Sequence, residues 1–411
     1  MIRDWRRTLK RYRRRYGWWL DAASLSLLLT TAVASAYAAY RWFGQDFRGY
    51  YAAARLVLQG SNPYDYAQLA PVLYQLDGRV GNNPFYYAPW WALFFTPLAA
   101  LLPYSSARAV WLGLNLILGG AALALSLRVL DWQPQGWRRW MAYWSALYLL
   151  GWICLRYEQS GIFLFFVLAL VLWAQKARHD WLAGLALPLL LTKPNVTFLP
   201  LAVLVAICWF RGHRRALLWA GIGLVGLLLL STLAIRDWYG PILHGELPNG
   251  LTQVLNGPDQ VTGIRINTTL LDWLRGFGLP DSIAWGAWGL AVVASLGLLA
   301  WAWRRRVDTI YLVLLSVVLG FVITPYTLQY DYPLMAPALL WVLWQLPLVS
   351  RWRRWIGLAI LALMFSVLLW ESPISDGYWI ALGLAGLLIW IGQPEDKDEV
   401  VGNEQAPASA A

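Results

Sequence analysis

The strongest restriction on this chain is a series of long apolar runs separated by short basic clusters. Runs long enough for a bilayer occur at 18–40, 107–130, 139–156, 159–175, 215–235, 282–303, 309–324, 332–349, 355–371 and 376–392. A helix crosses the hydrocarbon with about 20 apolar residues, within a range of about 17–25. Shorter apolar pieces lie at 88–102 and on either side of "TKPN" within 182–210. In lipid each backbone polar group must find its partner within the segment, which leaves helices for runs of this kind. Composition agrees: 59% of the 411 residues are hydrophobic and 13% are charged, against about 25% charged in soluble proteins. The 29 Trp and 21 Tyr suit aromatic belts at the two interfaces. The expected fold class is an all-α polytopic membrane protein. A single transmembrane domain over 1–393 would carry about 12 helices (11–13) and two sizeable outer loops, 41–87 and 236–281. The tail 394–411 is polar and rich in small residues, and is expected to be disordered and cytoplasmic.

The net charge of +11 would raise nucleic acid as a partner in a soluble protein. Here the bases sit in "RRTLKRYRRR", "RGHRR", "WRRR" and "RWRR", each beside an apolar run. That is the positive-inside pattern, and nucleic acid is not an expected partner. The same rule places both termini in the cytoplasm of a plasma-membrane protein. The run 18–40 exceeds the about 7–15 apolar residues of a signal peptide, so it reads as an uncleaved first span. In the first half, "WRR" at 137–139, "KARH" at 176–179 and "RGHRR" at 211–215 all belong inside. This holds if 88–102 is a partial or re-entrant helix and 182–210 is a hairpin turning at Thr192–Asn195. The alternative is a full span at 88–102 and one broken span over 182–210, which leaves some arginines outside. The Lys/Arg bias favours the hairpin.

Cys154 and Cys208 both lie in apolar runs, and His179, His213 and His244 have no ligand-spaced partner. No metal site is expected from them. P-loop, dinucleotide and nucleophile-elbow motifs are all missing. No cofactor is expected, and no cytoplasmic domain is expected that could hold a nucleotide-sugar. A sugar donor would therefore have to come from the membrane.

The polar residues that stand out are few. Asp46 opens the first outer loop, and the stretch 46–59 reads as an amphipathic interfacial helix with Arg48 and Arg55 on one face. A carboxylate and two cations then sit at headgroup level. The plain alternative is an interfacial helix with snorkelling arginines and Asp46 as its cap. Lys193 in "LLLTKPNVTFLP" is flanked by apolar segments, and Pro194 breaks the helix beside it. An ammonium in this setting is costly and marks a site, with phosphate its natural partner; the alternative is a solvated lysine in an outer turn. In "RYEQSG", Arg156 and Glu158 can neutralise each other, and Gln159 can hydrogen-bond a sugar. The second outer loop offers His244, Glu246, Arg265, Asn267 and Asp272, with Arg265 placed to meet a phosphate and "NTTLLDWLRGFG" read as an Asn-capped helix. "TPYTLQYDYP" adds Gln329, Tyr330 and Asp331 at another outer turn, and "NNPFYYAPWW" adds Tyr87.

Taken together, "YYAAARLVLQGSNPYDY", "FYYAPWWALFFTPLAALLP", "RYEQSGIFLFFVLALVL", "AGLALPLLLTKPNVTFLPL" and "INTTLLDWL" resemble, in order and spacing, glycosyltransferase family 87 of the GT-C superfamily. The similarity covers most of 40–340. Two departures are visible: Pro89 stands alone where a double proline is common, and Glu158 replaces a glycine. The resemblance implies a hexosyltransferase that takes mannose, another hexose or arabinofuranose from a polyprenyl-phosphate donor. The acceptor would be the hydroxyl of a glycolipid or glycan at the outer face. It assigns Asp46 as the general base of an inverting displacement. Lys193, Arg265, Arg48 and Arg55 would bind the donor phosphate. Gln159, Glu158, Asn267, Tyr87 and Gln329 would contact sugar or acceptor. Membrane lipids are the remaining partners. Competing readings are a transporter or flippase of lipid-linked sugars, a ligase-like or polymerase-like enzyme on diphosphate-linked oligosaccharides, and a scaffold protein.

Overall fold

A computed structural model describes residues 45–78, 84–243, 268–367 and 377–392, with isolated positions between 26 and 37. Among these residues every regular element is helical. The segment expected as the first outer loop supplies α1 (Gln45–Leu58) and α2 (Tyr66–Asp77). Asp65 starts α2 by accepting from the Ala67 amide, and Gly78 ends it in the left-handed conformation. Next come α3 (Pro89–Leu101), with proline in its first turn, and the long α4 (Tyr104–Val129). The run expected at 139–156 is broken. It comprises α5 (Trp137–Tyr143), a π turn over Trp144–Leu149, and α6 (Trp152–Tyr157).

The next elements are α7 (Gly161–Lys176), α8 (Asp180–Ala186) continuing as a 3-10 turn over Leu187–Thr192, α9 (Pro194–Phe210) and α10 (Arg214–Ala234). Short helices α11 (Gly240–Leu243) and α12 (Leu270–Gly276) precede α13 (Asp281–Arg304) and α14 (Thr309–Ile323). A 3-10 segment, Gln329–Met335, leads into α15 (Ala336–Gln345), and α16 (Arg351–Val367) and α17 (Tyr378–Gly392) complete the described chain.

Three of these helices, α4, α10 and α13, are long and apolar enough to cross a membrane. The other apolar helices are shorter, in part because prolines at 188, 194, 333 and 337 and the π turn divide longer runs. Helices α10 and α13 bury few of their apolar residues, and Leu218, Ile222, Val225, Leu229 and Leu233 of α10 face outward. An apolar face of that extent is unfavourable in water and favourable against lipid tails. By contrast, α7 and α14 are buried almost along their whole length and form the centre of the bundle.

Contacts sort the connections into two ends. At one end Lys176 Nζ donates to Val129 O (2.8 Å) and Asp131 Oδ2 (2.6 Å). There, too, His213 Nδ1 lies 2.9 Å from Asp180 Oδ1, and Arg211 donates to Thr309 Oγ1 at 2.8 Å. At the other end Trp90 Nε1 donates to Thr192 Oγ1 (3.1 Å), and Asn195 Nδ2 donates to Tyr326 O (2.8 Å). With 17 residues, α9 is about 25 Å long at 1.5 Å per residue. Residues 180–210 therefore run out and back as a hairpin that turns at Thr192–Asn195. Helix α3 starts beside Thr192 and hands over to α4, whose Arg108 and Trp111 meet Glu158 at the same end. It begins and ends on one side of the bundle, as a partial helix does.

Candidate active site

The site is assembled at the hairpin's turning end from five stretches: the start of α1, Tyr87 before α3, the α6–α7 connection, and the breaks at 193 and 326–331. Asp46 is the second residue of α1, inside its first turn rather than at its cap, where the helix dipole favours a carboxylate. Phe47 and Tyr50 pin that turn against Phe95 and Trp91 of α3, with ring centroids 5.1–5.6 Å apart across the cluster. Burial raises the Asp46 carboxyl from its ordinary 3.8 to about 6; a hydrogen bond from Gln159 and the charges of Lys193 and Arg48 oppose the rise, and Asp331 adds to it.

Gln159 is the hub. Its Oε1 accepts from Tyr50 OH (2.9 Å) and Tyr87 OH (2.7 Å), leaving its amide N–H for Asp46. Local backbone explains its presentation. Glu158 ends α6 in the left-handed region at φ 59°, and Gly161 begins α7. A Cβ at Gly161 would stand 2.3 Å from the Tyr330 carbonyl oxygen, so only glycine lets the 158–161 turn close on the 326–331 loop. The Glu158 carboxylate is fully buried and takes Arg108 Nε at 2.5 Å, while its carbonyl accepts from Trp111 Nε1 at 2.8 Å. Burial lifts this carboxyl to about 7 against the pull of Arg108. The expected balance between Arg156 and Glu158 is thus corrected: Glu158's partner is Arg108, fifty residues away, brought in by the first turns of α4.

Lys193 occupies the break between the 3-10 turn and α9. Pro194, first residue of α9, keeps Lys193 out of the helical region (φ −139°, ψ 78°). Its ammonium is no free cation: Nζ lies 2.6 Å from Asp331 Oδ1 and 4.4 Å from the centre of the Tyr330 ring. Asp331 Oδ2 in turn accepts weakly from Thr327 Oγ1 and the Leu328 amide, both at 3.3 Å.

Of the residues expected to form the site, Asp46, Arg48, Tyr87, Glu158, Gln159 and Lys193 are gathered here. Arg48 is 5% exposed, whereas Arg55 is exposed two turns further along α1, with Nη1 3.4 Å from Ala99 O. The pair expected on one face is therefore divided in burial: α1 is covered almost to its end, through Leu56 and Val57, and Arg55 turns outward beside Ala99 of α3. Gln329 sits on the same loop as Asp331 but packs toward Gly377. Arg265, Asn267, His244 and Glu246 lie outside the described residues. The Asn-capped helix is corrected: α12 is capped by Thr269, whose hydroxyl accepts from the Asp272 amide at 3.1 Å. Tyr50, Arg108 and Thr192 joined the site without being assigned to it from the sequence, whereas Asp331 stood among the polar residues named in the 326–331 turn. For Arg108 a signal existed, since a guanidinium at the start of an apolar run calls for a partner.

Comparison with known proteins bears on the same segments. Glycosyltransferase family 87 matches residues 85–325, a span that contains Tyr87, Glu158, Gln159 and Lys193 and begins after Asp46. No curated protein and no solved structure matches the chain. The match covers more than half of the 411 residues. The chain is a member of glycosyltransferase family 87, and through it of the GT-C superfamily.

Proposed function

We propose that this membrane glycosyltransferase moves a sugar from a polyprenyl-phosphate donor to a glycolipid or glycan hydroxyl at the outer face of the plasma membrane. Mannose or another hexose, or arabinofuranose, is the transferred unit. In this reading the shorter apolar helices pair end to end with 3-10 and π turns to make about 12 spans. The end rich in Lys176, Arg211 and Arg304 faces the cytoplasm, and the Asp46 end faces outward.

The observation that carries the reading is Asp46, a partly buried carboxylate in contact with Gln159 and near the Lys193 and Arg48 charges, inside a chain of this family. A carboxyl held near 6 is mostly ionised at neutral pH yet basic enough to take a proton. The acceptor oxygen attacks C1 of the donor sugar as its proton passes to Asp46. The C1–O bond breaks with its electron pair going to the lipid phosphate, and C1 inverts. Arg48 and Lys193 stabilise the charge on the departing phosphate. For Lys193 to do so directly, phosphate must share or replace Asp331. Gln159, Tyr50 and Tyr87 fix the orientation of Asp46.

Purified protein in lipid, offered polyprenyl-phosphate mannose, arabinofuranose and glucose with a glycolipid acceptor extract, tests this. Transfer by wild type that is lost in folded Asp46→Asn supports the base. Equal transfer by both removes Asp46 from the chemistry. Movement of lipid-linked sugar across the bilayer with no transfer would replace the enzyme reading with a transporter.

A further inference from the structure

A second concave feature lies outside the Asp46 constellation. A cleft of about 450 Å³ opens between the α1–α2 connection and the residues leading into α11, lined by Ser61, Asn62, Tyr64, Asp65, Gln68 and Asp237 among others. Its size falls in the range of small-ligand sites, about 300–1,000 Å³. Its walls are tied together. Asn62 Nδ2 donates to Asp237 O (2.8 Å), and Asn62 Oδ1 accepts from the Tyr64 amide (3.0 Å). Asp65 caps α2 through Ala67 N (2.9 Å) and accepts from Gln68 Nε2 (2.6 Å).

The lining chooses among ligands. Two carboxylates, Asp65 and Asp237, face a single cation, Arg236. A phosphate would meet net like charge there. Planar carboxylate and amide groups beside the partly exposed Tyr66 instead suit a neutral, hydroxyl-rich ring, whose hydroxyls pair with the polar groups and whose C–H face lies on the aromatic. The cleft also communicates with the reaction centre. Tyr64 donates to the Tyr87 carbonyl, and the Tyr87 hydroxyl reaches Gln159, the partner of Asp46. Asp46 stands at one end of α1 and Gly60 of the cleft just past the other. The twelve steps from Asp46 to Leu58 measure about 18 Å along the helix. One sugar ring does not bridge that separation.

We propose that this cleft is an acceptor subsite that holds a neutral sugar unit several residues from the hydroxyl deprotonated by Asp46, so that the acceptor is an extended glycan rather than a single-sugar or phosphate-headed lipid. The proposal rests on the transferase reading above and gives its acceptor a chemical class.

Two measurements on the full-length protein in lipid nanodiscs test it. Saturation-transfer NMR with α-mannotetraose, maltotetraose and mannose 1-phosphate reads the cleft without requiring transfer. Saturable binding of a neutral tetrasaccharide is expected, abolished by Ser61→Trp, which fills the cleft, and weakened about two- to tenfold by Gln68→Ala, the value of one hydrogen-bonding side chain. Should Ser61→Trp fail to fold, Gln68→Ala alone decides. No saturable binding, binding untouched by the folded variants, or preference for the sugar phosphate would overturn the proposal. The second measurement compares transfer to glycolipids bearing one and four sugars. The longer acceptor should have the lower KM, and Gln68→Ala should raise that KM while leaving kcat and the short acceptor unchanged. Equal KM values overturn the length requirement. Glycan binding without transfer from any donor defeats the transferase reading and the acceptor role together, and leaves a glycan site of another purpose.

Discussion

Lys193 Nζ and Asp331 Oδ1 are 2.6 Å apart across 138 residues of sequence, both almost wholly buried. The pair joins the broken hairpin to the loop after α14, and Asn195 and Thr324 support the same junction through bonds of 2.8 Å.

Removing one member leaves the other as an unpaired buried charge. Asp331→Ala and Lys193→Ala should each destabilise the protein by about 3–5 kcal/mol. The double variant Lys193→Met/Asp331→Leu should recover much of that stability, read as a melting temperature in detergent, and still lack transfer. Recovery of transfer as well would show that the pair serves structure alone.

Asp46→Asn keeps the shape of the side chain and removes the proposed base. Transfer should drop about 10²–10⁴-fold, while the melting temperature at neutral pH holds or rises, since a partly buried charge is no longer desolvated. A fall in stability matching the loss of activity would argue against a chemical role.

The pH dependence has a definite sign. The Asp46 carboxyl is raised to about 6, so kcat/KM should climb through pH 6 and level above it. For stability the direction is opposite. Between the ordinary 3.8 and about 6 the folded state holds more protons than the unfolded one, so this group's contribution declines as pH rises through that window. Glu158, raised to about 7, acts in the same direction over a wider window. Melting curves across pH 4–8 for wild type and Asp46→Asn should differ by a slope concentrated below about pH 6. Parallel curves would contradict the assignment.

Glu158 carries two opposing contributions, the Arg108 pair and a left-handed backbone at φ 59°. Glu158→Ala loses the pair and keeps the strain. Glu158→Gly loses the pair and relieves the strain, so it should be the more stable of the two by about 1 kcal/mol. Equal melting temperatures would show that the turn relaxes.

Gly161→Ala introduces a methyl 2.3 Å from the Tyr330 carbonyl. The 158–161 turn and the Asp331 loop must then separate, at a cost of about 1–3 kcal/mol, and transfer should fall with Gln159 displaced. Unchanged activity would mean that Gln159 does not position Asp46.

Local rules made much of this molecule readable in advance. Apolar runs of bilayer length allow only helices, and basic clusters at 176–179 and 211–215 favoured a hairpin over 182–210, with Pro194 at its break, above a single broken span. A carboxylate beside the first apolar run and a lysine between apolar segments identified themselves by their desolvation cost. Partners could not be read this way. Lys193 and Asp331, Glu158 and Arg108, and Gln159 with Tyr50 and Tyr87 are separated by 138, 50, 109 and 72 positions. No periodicity encodes contacts between helices that meet only when the bundle closes. Burial was equally hidden: Arg48 and Arg55 share a helix face in sequence, yet only the first is buried. The sequence by itself determined which charges would be expensive; the tertiary structure decided how each is compensated, because that depends on packing between segments far apart in the chain.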